Sequence, residues 1–415
     1  MRNARIWERL LAVECSVVEQ VVFDEEDEVI VASVRPRKAT KRRCGICAKR
    51  CSGYDQGDGP RPWRTLDLGT IPTYLEAEAP RVSCPEHGVV VAQVPWARHN
   101  AGHTRNFDDM TAWLATHCSR SAVEEVMRVA WRTVGSIAQR VVADARAKRD
   151  PFANLTRIGI DEISYKKGHK YLIVIVHHDT GHLVWAKAGR DMATLEVFFD
   201  LLGEERCKNL RLVSADGAQW IANVVKARCK GATLCMDPFH VVTWCTDALD
   251  EVRRDVWNAA RNGGMRALAG DLTGARFALW KNHEDLTENQ KAKLSWVATT
   301  NKQLYRAYLM KEQLRLVSRL RGIAGIALLK EWWAWACRSQ IPAFVGLAKS
   351  IRSHREAIEA ALTHGLTNAR VESVNTKIRL LQRVAFRYRD PEALIAMAML
   401  DLGGYCPALP GTAGA

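Results

Sequence analysis

The chain has 415 residues, of which 60 are Lys or Arg and 46 are Asp or Glu, so its formal net charge is +14. This length allows two or three domains with sizeable cores, and a hydrophobic content of 47% is ordinary for a globular protein. No run of about 18 apolar residues occurs, so no membrane-spanning segment is expected. The positive surplus favours a polyanionic partner, either nucleic acid or an acidic membrane surface.

The first 34 residues predict a short helix followed by strands. Glu8, Arg9 and Glu14 interrupt the apolar residues of this segment, which therefore does not resemble a secretory signal. The twelve cysteines are expected to be free thiols or metal ligands, because a disulfide framework requires an oxidising compartment.

A zinc-binding ribbon is predicted over residues 35–95. The stretch from Arg35 to Arg50 contains eight basic residues and no acidic one. A C-x2-C pair and a later C-x2-H pair flank a strand-rich sequence, WRTLDLGTIPTYLEAEAPRVS, and each pair has the spacing that lets two ligands share one tetrahedral zinc. The predicted ligands of this structural Zn²⁺ are Cys44, Cys47, Cys84 and His87. Cys51 remains a competing ligand.

A helix-turn-helix is predicted over residues 104–149, after a turn-rich linker. Three helical patterns follow one another, with a break near Ser119 and a tight turn near Ala130. A plain helical bundle is the alternative, but the neighbouring basic ribbon favours DNA binding. The residues expected to face DNA from the last helix are Arg132, Thr133, Ser136, Gln139 and Arg140. Asp150-Pro151 marks the end of this domain.

Residues 155–242 predict an α/β domain that contains two carboxylates on neighbouring strands. The apolar run LTRIGIDE places Asp161 at a strand end; alone, this residue could equally cap a turn or pair with Lys166. Three antiparallel strands, a helix and a strand–helix–strand unit follow, which is the element order of an RNase H-like domain. In that order the first and fourth strands are neighbours, so Asp161 and Asp216 should meet. Glu162 is expected on the opposite face of its strand, without a role.

The remaining chain is predicted to be helical. Residues 243–365 form a Trp-rich helical insertion, and residues 366–403 return to the core before a tail at 404–415. Glu372 shares a helix face with Asn375 and Arg379. A basic run on this helix suits a phosphate backbone, although such runs are often only solvated; it contains Arg370, Lys377, Arg379 and Arg383, followed by Arg387 and Arg389. Asp237 and His240, in DPFH, have no assigned role.

Taken together, CGIC, CPEH, WRTLDLG, VPWAR, GIDE, SADGA, DPFHV and NARVESVNTKIR resemble the insertion-sequence transposases of the ISL-three family, from about Cys44 to Gly403. The resemblance implies a multidomain α/β (α+β) protein, in which a zinc ribbon and a helix-turn-helix precede an RNase H-like catalytic core with a large helical insertion. The family's Asp-Asp-Glu triad falls on Asp161, Asp216 and Glu372. His87 stands where the family more often has Cys. His is an equally good zinc ligand, so the site is expected to be kept.

The resemblance also implies a reaction and its partners. Asp161, Asp216 and Glu372 would bind two Mg²⁺ or Mn²⁺ ions per active site for cleavage at the element's terminal inverted repeats and strand transfer into target DNA. A homodimer or larger assembly on DNA, in the cytoplasm of a bacterium and associated with its nucleoid, is expected, without a membrane partner. Two alternatives remain: another RNase H-like nuclease, or a DNA-binding regulator whose carboxylates are structural.

Overall fold

The structure is a computed structural model, described here for residues 2–385, 388 and 390–412, with residues 2–4 described by their backbone alone. Arg387 and Arg389 of the predicted basic run lie outside the described residues. The chain divides into two compact units, one formed by Met1–Pro151 with Ile378–Ala415 and the other by Phe152–Lys377. Among the described residues, no helix combines the length and the apolar character needed to cross a membrane.

The first unit begins with helix α1 (Arg2–Leu10) and two small sheets. Its strands are β1 (Ser16–Asp24), β2 (Val29–Pro36), β3 (Ser52–Asp55), β4 (Pro60–Leu68), β5 (Ile71–Glu78), β6 (Arg81–Cys84) and β7 (Gly88–Val91). One sheet has the order β1-β2-β5-β4 and the other has the order β3-β6-β7.

The hairpin of β4 and β5 corrects one expectation about the ribbon. These strands were predicted to belong to the zinc ribbon, but β5 pairs in parallel with β2 of the N-terminal segment. Trp63 of β4 and Leu75 of β5 are almost fully buried and pack with Trp96 and strand residues of β1 and β2. The hairpin therefore buries its apolar face against the N-terminal strands, and only β6 of the predicted stretch enters the ribbon sheet.

Three helices follow, as the helix-turn-helix prediction requires: α2 (Arg105–His117), α3 (Arg120–Met127) and α4 (Trp131–Lys148). The side chains of Thr104 and Ser119 cap α2 and α3 by accepting hydrogen bonds from backbone amides of the first turn. The turn between α3 and α4 begins at Arg128, which adopts a left-handed backbone conformation with φ of 53°.

The second unit contains the predicted RNase H-like sheet. Its elements in chain order are β8 (Arg157–Lys166), β9 (Lys170–His177), β10 (Leu183–Ala188), α5 (Met192–Leu202), α6 (Glu204–Asn209), β11 (Leu212–Ala215), α7 (Gln219–Arg228) and β12 (Thr233–Met236). The strand order is β10-β9-β8-β11-β12, with β8 antiparallel to β9 and parallel to β11. Ile158, Ile160 and Phe198 belong to the core beneath this sheet. The α/β prediction and the adjacency of the first and fourth strands are confirmed.

A helical insertion separates this sheet from the helix that contains Glu372. It consists of α8 (Pro238–Asn262), α9 (Arg266–Gly274), α10 (Arg276–Trp280), α11 (Glu288–Thr300), α12 (Lys302–Arg319), α13 (Gly322–Arg338), α14 (Pro342–Ser353) and α15 (Arg355–His364). These helices have their own core, in which Trp332 is fully buried and Trp244, Trp257, Trp296, Trp333 and Trp335 are partly buried. The tryptophans of this core thus act mainly as packing residues, as expected.

The last two helices are α16 (Ala369–Val384) and α17 (Pro391–Leu402). The structure divides the segment predicted as a single core element, 366–403, because residues from Ile378 onward belong to the first unit. There α17 packs against α4 and α2 of the helix-turn-helix. Gly135 of α4 permits this close approach, since a Cβ atom at that position would lie 3.3 Å from the Cβ of Ala393.

Candidate active site and zinc-binding site

The predicted zinc ligands form a compact tetrad. The ligand atoms of Cys44, Cys47, Cys84 and His87 all lie within 4.8 Å of one another. Sγ of Cys47 is 3.8 Å from Sγ of Cys84, and Nδ1 of His87 is 3.5 Å from Sγ of Cys84 and 3.7 Å from Sγ of Cys44. Bonds of about 2.3 Å to sulfur and about 2.0 Å to nitrogen place the ligand atoms of tetrahedral zinc about 3.5–3.8 Å apart. The tetrad therefore fits one closed, structural zinc ion.

Local contacts position the two ligand pairs of this tetrad, Cys44 with Cys47 and Cys84 with His87. The amide of Ile46 donates to Sγ of Cys44, which is the usual arrangement within a Cys-x2-Cys turn. Lys49 and Glu86, one from each half, form an ion pair. The hydrogen bond from His87 is the main cause that lowers the pKa of Cys84 to about 6, which favours the thiolate form that binds metal.

Cys51 lies beside the tetrad but outside it. Its thiol donates a hydrogen bond to the backbone carbonyl of Lys49 at 3.3 Å. Burial is the first cause that raises the pKa of Cys51, followed by a hydrogen bond with Cys84. The four residues whose ligand atoms lie together are Cys44, Cys47, Cys84 and His87, so this tetrad accounts for the site without Cys51.

The helix-turn-helix exposes most of the side chains predicted to contact DNA. Arg132, Ser136 and Gln139 are exposed on one face of α4, and Thr133 is half-buried. Gly135, which packs towards α17, lies beside this face, one turn from Arg132 and from Gln139. Three of the five predicted residues are thus accessible to a ligand on a common helix face.

Arg140 does not face outward, which corrects the prediction for this residue. Its guanidinium donates to both carboxylate oxygens of Asp108, a fully buried residue on α2. Arg98 also donates to Asp108 and is itself only 9% exposed. A buried carboxylate needs such partners because its desolvation is costly, so Arg140 holds α4 against α2.

Asp161 and Asp216 occupy neighbouring strands of the second unit. Strand β8 continues to Lys166, so Asp161 lies within the strand and not at its end as predicted. The pairing of β8 with β11 stops at Gly159, whereas Asp216 directly follows the last residue of β11. Both carboxylates therefore lie just past the paired part of these two parallel strands.

The electrostatics of Asp161 identify its charged neighbours. Burial is the first cause that raises the pKa of Asp161 to about 6, and the negative charges of Asp216, Glu162 and Glu372 raise it further. The strands and α16 thus bring the charges of Asp216 and Glu372 within electrostatic reach of Asp161.

Helix α16 contributes a contact whose purpose the sequence did not reveal. Asn375 is buried and its Nδ2 donates to Oδ2 of Asp161 at 2.8 Å. The i, i+3 spacing placed Asn375 on the same face as Glu372, which is exposed, but gave Asn375 no role. Its position one helical turn from Glu372, a candidate catalytic acid, was the sequence signal that could have identified Asn375.

A buried polar network attaches the start of α16 to the sheet. The side chain of Asn368 accepts a hydrogen bond from Ser214, whose Oγ lies 2.6 Å from Nε2 of His178. The amide of Asn368 donates to Oδ1 of Asp237, and the amide of Asp237 donates to the carbonyl of Ala215. Asp237 therefore connects the residue before Asp216 with the helix of Glu372. Since Asn368 lies 154 residues from Ser214 and 131 residues from Asp237 along the chain, only the motif DPFH could have hinted at these contacts.

Comparison with known proteins matches these regions in the same order. A family described as a transposase, of the ISL3 DDE type, matches residues 158–398, which is more than half of the chain. The helix-turn-helix domain of transposase family ISL3 matches residues 92–142, and the zinc finger of the transposases of IS204, IS1001, IS1096 and IS1165 matches residues 40–87. The chain belongs to the ISL3 family of transposases, the ISL-three family named above.

Two relatives of this ISL3 transposase extend the match to the ends of the chain. The transposase for insertion sequence element IS1557 of Mycobacterium tuberculosis is 55% identical, over 99% of this chain and 98% of its own length, in each of two strains. The transposase for insertion sequence element IS1001 of Bordetella parapertussis is 24% identical over 90% of this chain and 92% of its own length. The chain is thus an insertion-sequence transposase with a zinc ribbon, a DNA-binding helix-turn-helix and a DDE domain.

The basic residues predicted on α16 of the ISL3 transposase do not all behave alike. Lys377, Arg379 and Arg383 are exposed. Arg370 is also exposed, but one of its amino groups donates to the backbone carbonyls of His178 and Asp179. Because carbonyls already take up part of its guanidinium, Arg370 stabilises the contact between α16 and the turn after β9.

Proposed function

We propose that this ISL3 transposase cleaves DNA at the terminal inverted repeats of its insertion sequence and transfers the freed 3′ ends to target DNA, with Asp161, Asp216 and Glu372 as its catalytic residues. The observation that carries the proposal is geometric: Asp161 and Asp216 lie just past the paired part of two neighbouring parallel strands, and Asn375 of the helix that contains Glu372 donates a hydrogen bond to Asp161. The charges of Asp216 and Glu372 help to raise the pKa of Asp161, and cations bound between these acids would stabilise its carboxylate form.

The donor set fits divalent ions of the Mg²⁺ or Mn²⁺ type. Carboxylate oxygens are the ligands these hard cations prefer, and in this proposal Asp161, Asp216 and Glu372 hold two such ions. When bound, these ions neutralise the phosphate and activate an attacking oxygen for in-line displacement. The zinc tetrad has four protein ligands and takes no part in the reaction.

The protein's own residues position this triad. Asn375 holds the carboxylate of Asp161 through a hydrogen bond of 2.8 Å. Asp237 joins the start of α16, the helix that contains Glu372, to the end of β11, which Asp216 directly follows. We expect Arg132, Ser136 and Gln139 to bind the terminal repeats, because they are exposed on one face of a helix-turn-helix helix.

The test uses the full-length protein and a duplex that contains the DNA flanking the coding region. Isosteric variants D161N, D216N and E372Q should each reduce Mg²⁺-dependent cleavage by at least about 100-fold while duplex binding persists, because each removes a charge that holds the metal. The control is D200N, since Asp200 is an exposed acid of the same unit, ion-paired with Arg228. Wild-type-like cleavage by any of the three variants, or cleavage that persists in EDTA, contradicts the proposal.

A further inference from the structure

Glu162 is a buried acid that the proposed reaction does not use. It follows Asp161 in β8, and its side chain is only 7% exposed. One oxygen, Oε2, accepts a hydrogen bond from Arg190, while Oε1 is buried without a hydrogen-bond partner among the described residues. Such a residue is costly to keep, so its contact with Arg190 needs an explanation.

Arg190 is held in place from two sides. Its Nε donates to Glu162, and its guanidinium carbon lies 4.5 Å from the ring centroid of Tyr171, within the range of a cation–π contact. The turn that contains it is also constrained. Gly189 has a φ of 146°, and its amide donates to the carbonyl of Tyr171 at 2.9 Å. A Cβ atom at Gly189 would lie 2.1 Å from Oγ1 of Thr194, so only glycine fits there.

The guanidinium nevertheless keeps unused donors. The side chain of Arg190 is 53% exposed, and in the described part of the chain its two terminal amino groups have no hydrogen-bond acceptor. The two terminal amino groups of an oriented guanidinium can donate hydrogen bonds to two oxygens of one phosphate. Because the side chain is already held in one rotamer, binding costs little further conformational entropy.

The ion pair also lies next to a candidate catalytic acid, because Glu162, the partner of Arg190, directly follows Asp161 in β8. Glu162 is the first cause that raises the pKa of Arg190, and the charge of Asp216 contributes in the same direction. Asp216 likewise acts on Glu162. A DNA phosphate near three carboxylates is repelled by them, and a fixed cation at the edge of the group offsets this repulsion. Since Glu162 is buried behind Arg190, the positive member of the pair is the one that solvent and DNA meet.

We propose that Arg190 binds a DNA phosphate beside the Asp161–Asp216–Glu372 site, and that Glu162 is a positioning residue that orients its guanidinium. This inference rests on the proposed function, since the phosphate belongs to the DNA strand on which the triad acts. The alternative is an ion pair that only stabilises the fold, in which case neither side chain influences DNA contacts.

The experiment compares four variants of the full-length protein: R190A, R190K, E162Q and the control R355A. Arg355 is 54% exposed and donates its Nε to Glu359 at 2.7 Å, so it matches Arg190 in exposure and pairing. Two quantities are measured on a duplex containing an end of the element: binding in EDTA at several KCl concentrations, and Mg²⁺-dependent cleavage. Thermal denaturation of each variant identifies any loss of folding.

Loss of one phosphate contact lowers the slope of log affinity against log salt by about 0.9. We expect R190A to show this smaller slope together with a cleavage loss of about 10- to 100-fold. R190K and E162Q should keep the wild-type slope, because each retains a cation at position 190. Both should lose about 10-fold in cleavage, since R190K lacks the planar guanidinium and E162Q no longer orients it. R355A should match the wild type.

The outcomes separate this inference from the proposed function. If the wild type cleaves and R190A and R190K match R355A in slope and cleavage, the phosphate site is refuted while the function stands. If the wild type does not cleave but R190A lowers the salt slope, the function is refuted and the phosphate site stands. A lower melting temperature of R190A with an unchanged slope in both Arg190 variants identifies a purely structural ion pair and overturns the proposal.

Discussion

At the scale of single residues, Arg140 and Arg132 of α4 show how partners decide the role of a side chain. Both are arginines of the predicted DNA-contacting helix, Arg132 in its first turn and Arg140 near its middle. Arg132 is exposed, whereas Arg140 donates two hydrogen bonds to Asp108, which is fully buried. The helical pattern could not distinguish them, because the residue that makes Arg140 structural lies 32 positions earlier, on another helix.

This difference predicts opposite effects of two substitutions. R140A should lower the free energy of unfolding of the first unit by about 2 kcal/mol, because Asp108 loses a charged partner and keeps only Arg98. R132A should leave stability unchanged and weaken binding to terminal-repeat DNA by about 10-fold. Urea denaturation and a DNA-binding titration of both variants provide the measurements. Unchanged stability of R140A would show that the buried pair makes no net contribution.

At the scale of elements, the zinc ribbon combines a local prediction with a non-local one. Each ligand pair was recognisable because two covalently close side chains share one metal. Of the strands between the pairs, β3 and β6 belong to the ribbon sheet, whereas β4 and β5 bury Trp63 and Leu75 against the N-terminal strands in the other sheet. The pattern of each strand was correct; its partner depended on which apolar surface was available.

Cys47 and Cys51 offer a matched test of the tetrad. C47S removes one of four ligands and should reduce the zinc content below half an equivalent and unfold the β3-β6-β7 sheet, because zinc binding contributes folding energy in such sites. C51S should retain one equivalent of zinc and the wild-type circular dichroism spectrum. Zinc analysis by mass spectrometry distinguishes the two variants. Loss of zinc in C51S and retention in C47S would exchange the two cysteines in the ligand set.

At the scale of the whole molecule, each unit contains a histidine that is kept neutral: His103 is half-buried in the first unit and His178 is buried in the second. Burial is the first cause that lowers the pKa of His103 to about 4, and the charges of Arg140 and Arg64 add to it. Burial likewise lowers the pKa of His178 to about 4, with contributions from Arg157 and Arg370. Protonating either residue in the folded chain places a cation among buried groups and neighbouring arginines.

The sign of the resulting pH dependence follows from these depressed pKa values. Between the ordinary value of 6.5 and the folded value of about 4, the unfolded chain binds a proton that the folded chain does not, so each histidine causes stability to fall as pH falls. The difference in melting temperature between each variant, H103Q or H178Q, and the wild type should therefore shift in favour of the variant when the pH is lowered from 7 to 4.5. Thermal denaturation at both pH values tests this. A difference that does not depend on pH would contradict it.

The sequence alone determined the features that depend on short covalent spacing or on periodicity. The two zinc-ligand pairs, the helix-turn-helix helices and the strand order around Asp161 and Asp216 are of this kind, because neighbouring residues and regular hydrophobic patterns define them. The tertiary structure decided which surfaces meet within each unit. It placed α17 on the helix-turn-helix, joined Asp237 to the start of α16, and turned Glu162 from a residue without a role into the support of Arg190. These contacts depend on the shape and charge of distant segments, which local spacing does not encode.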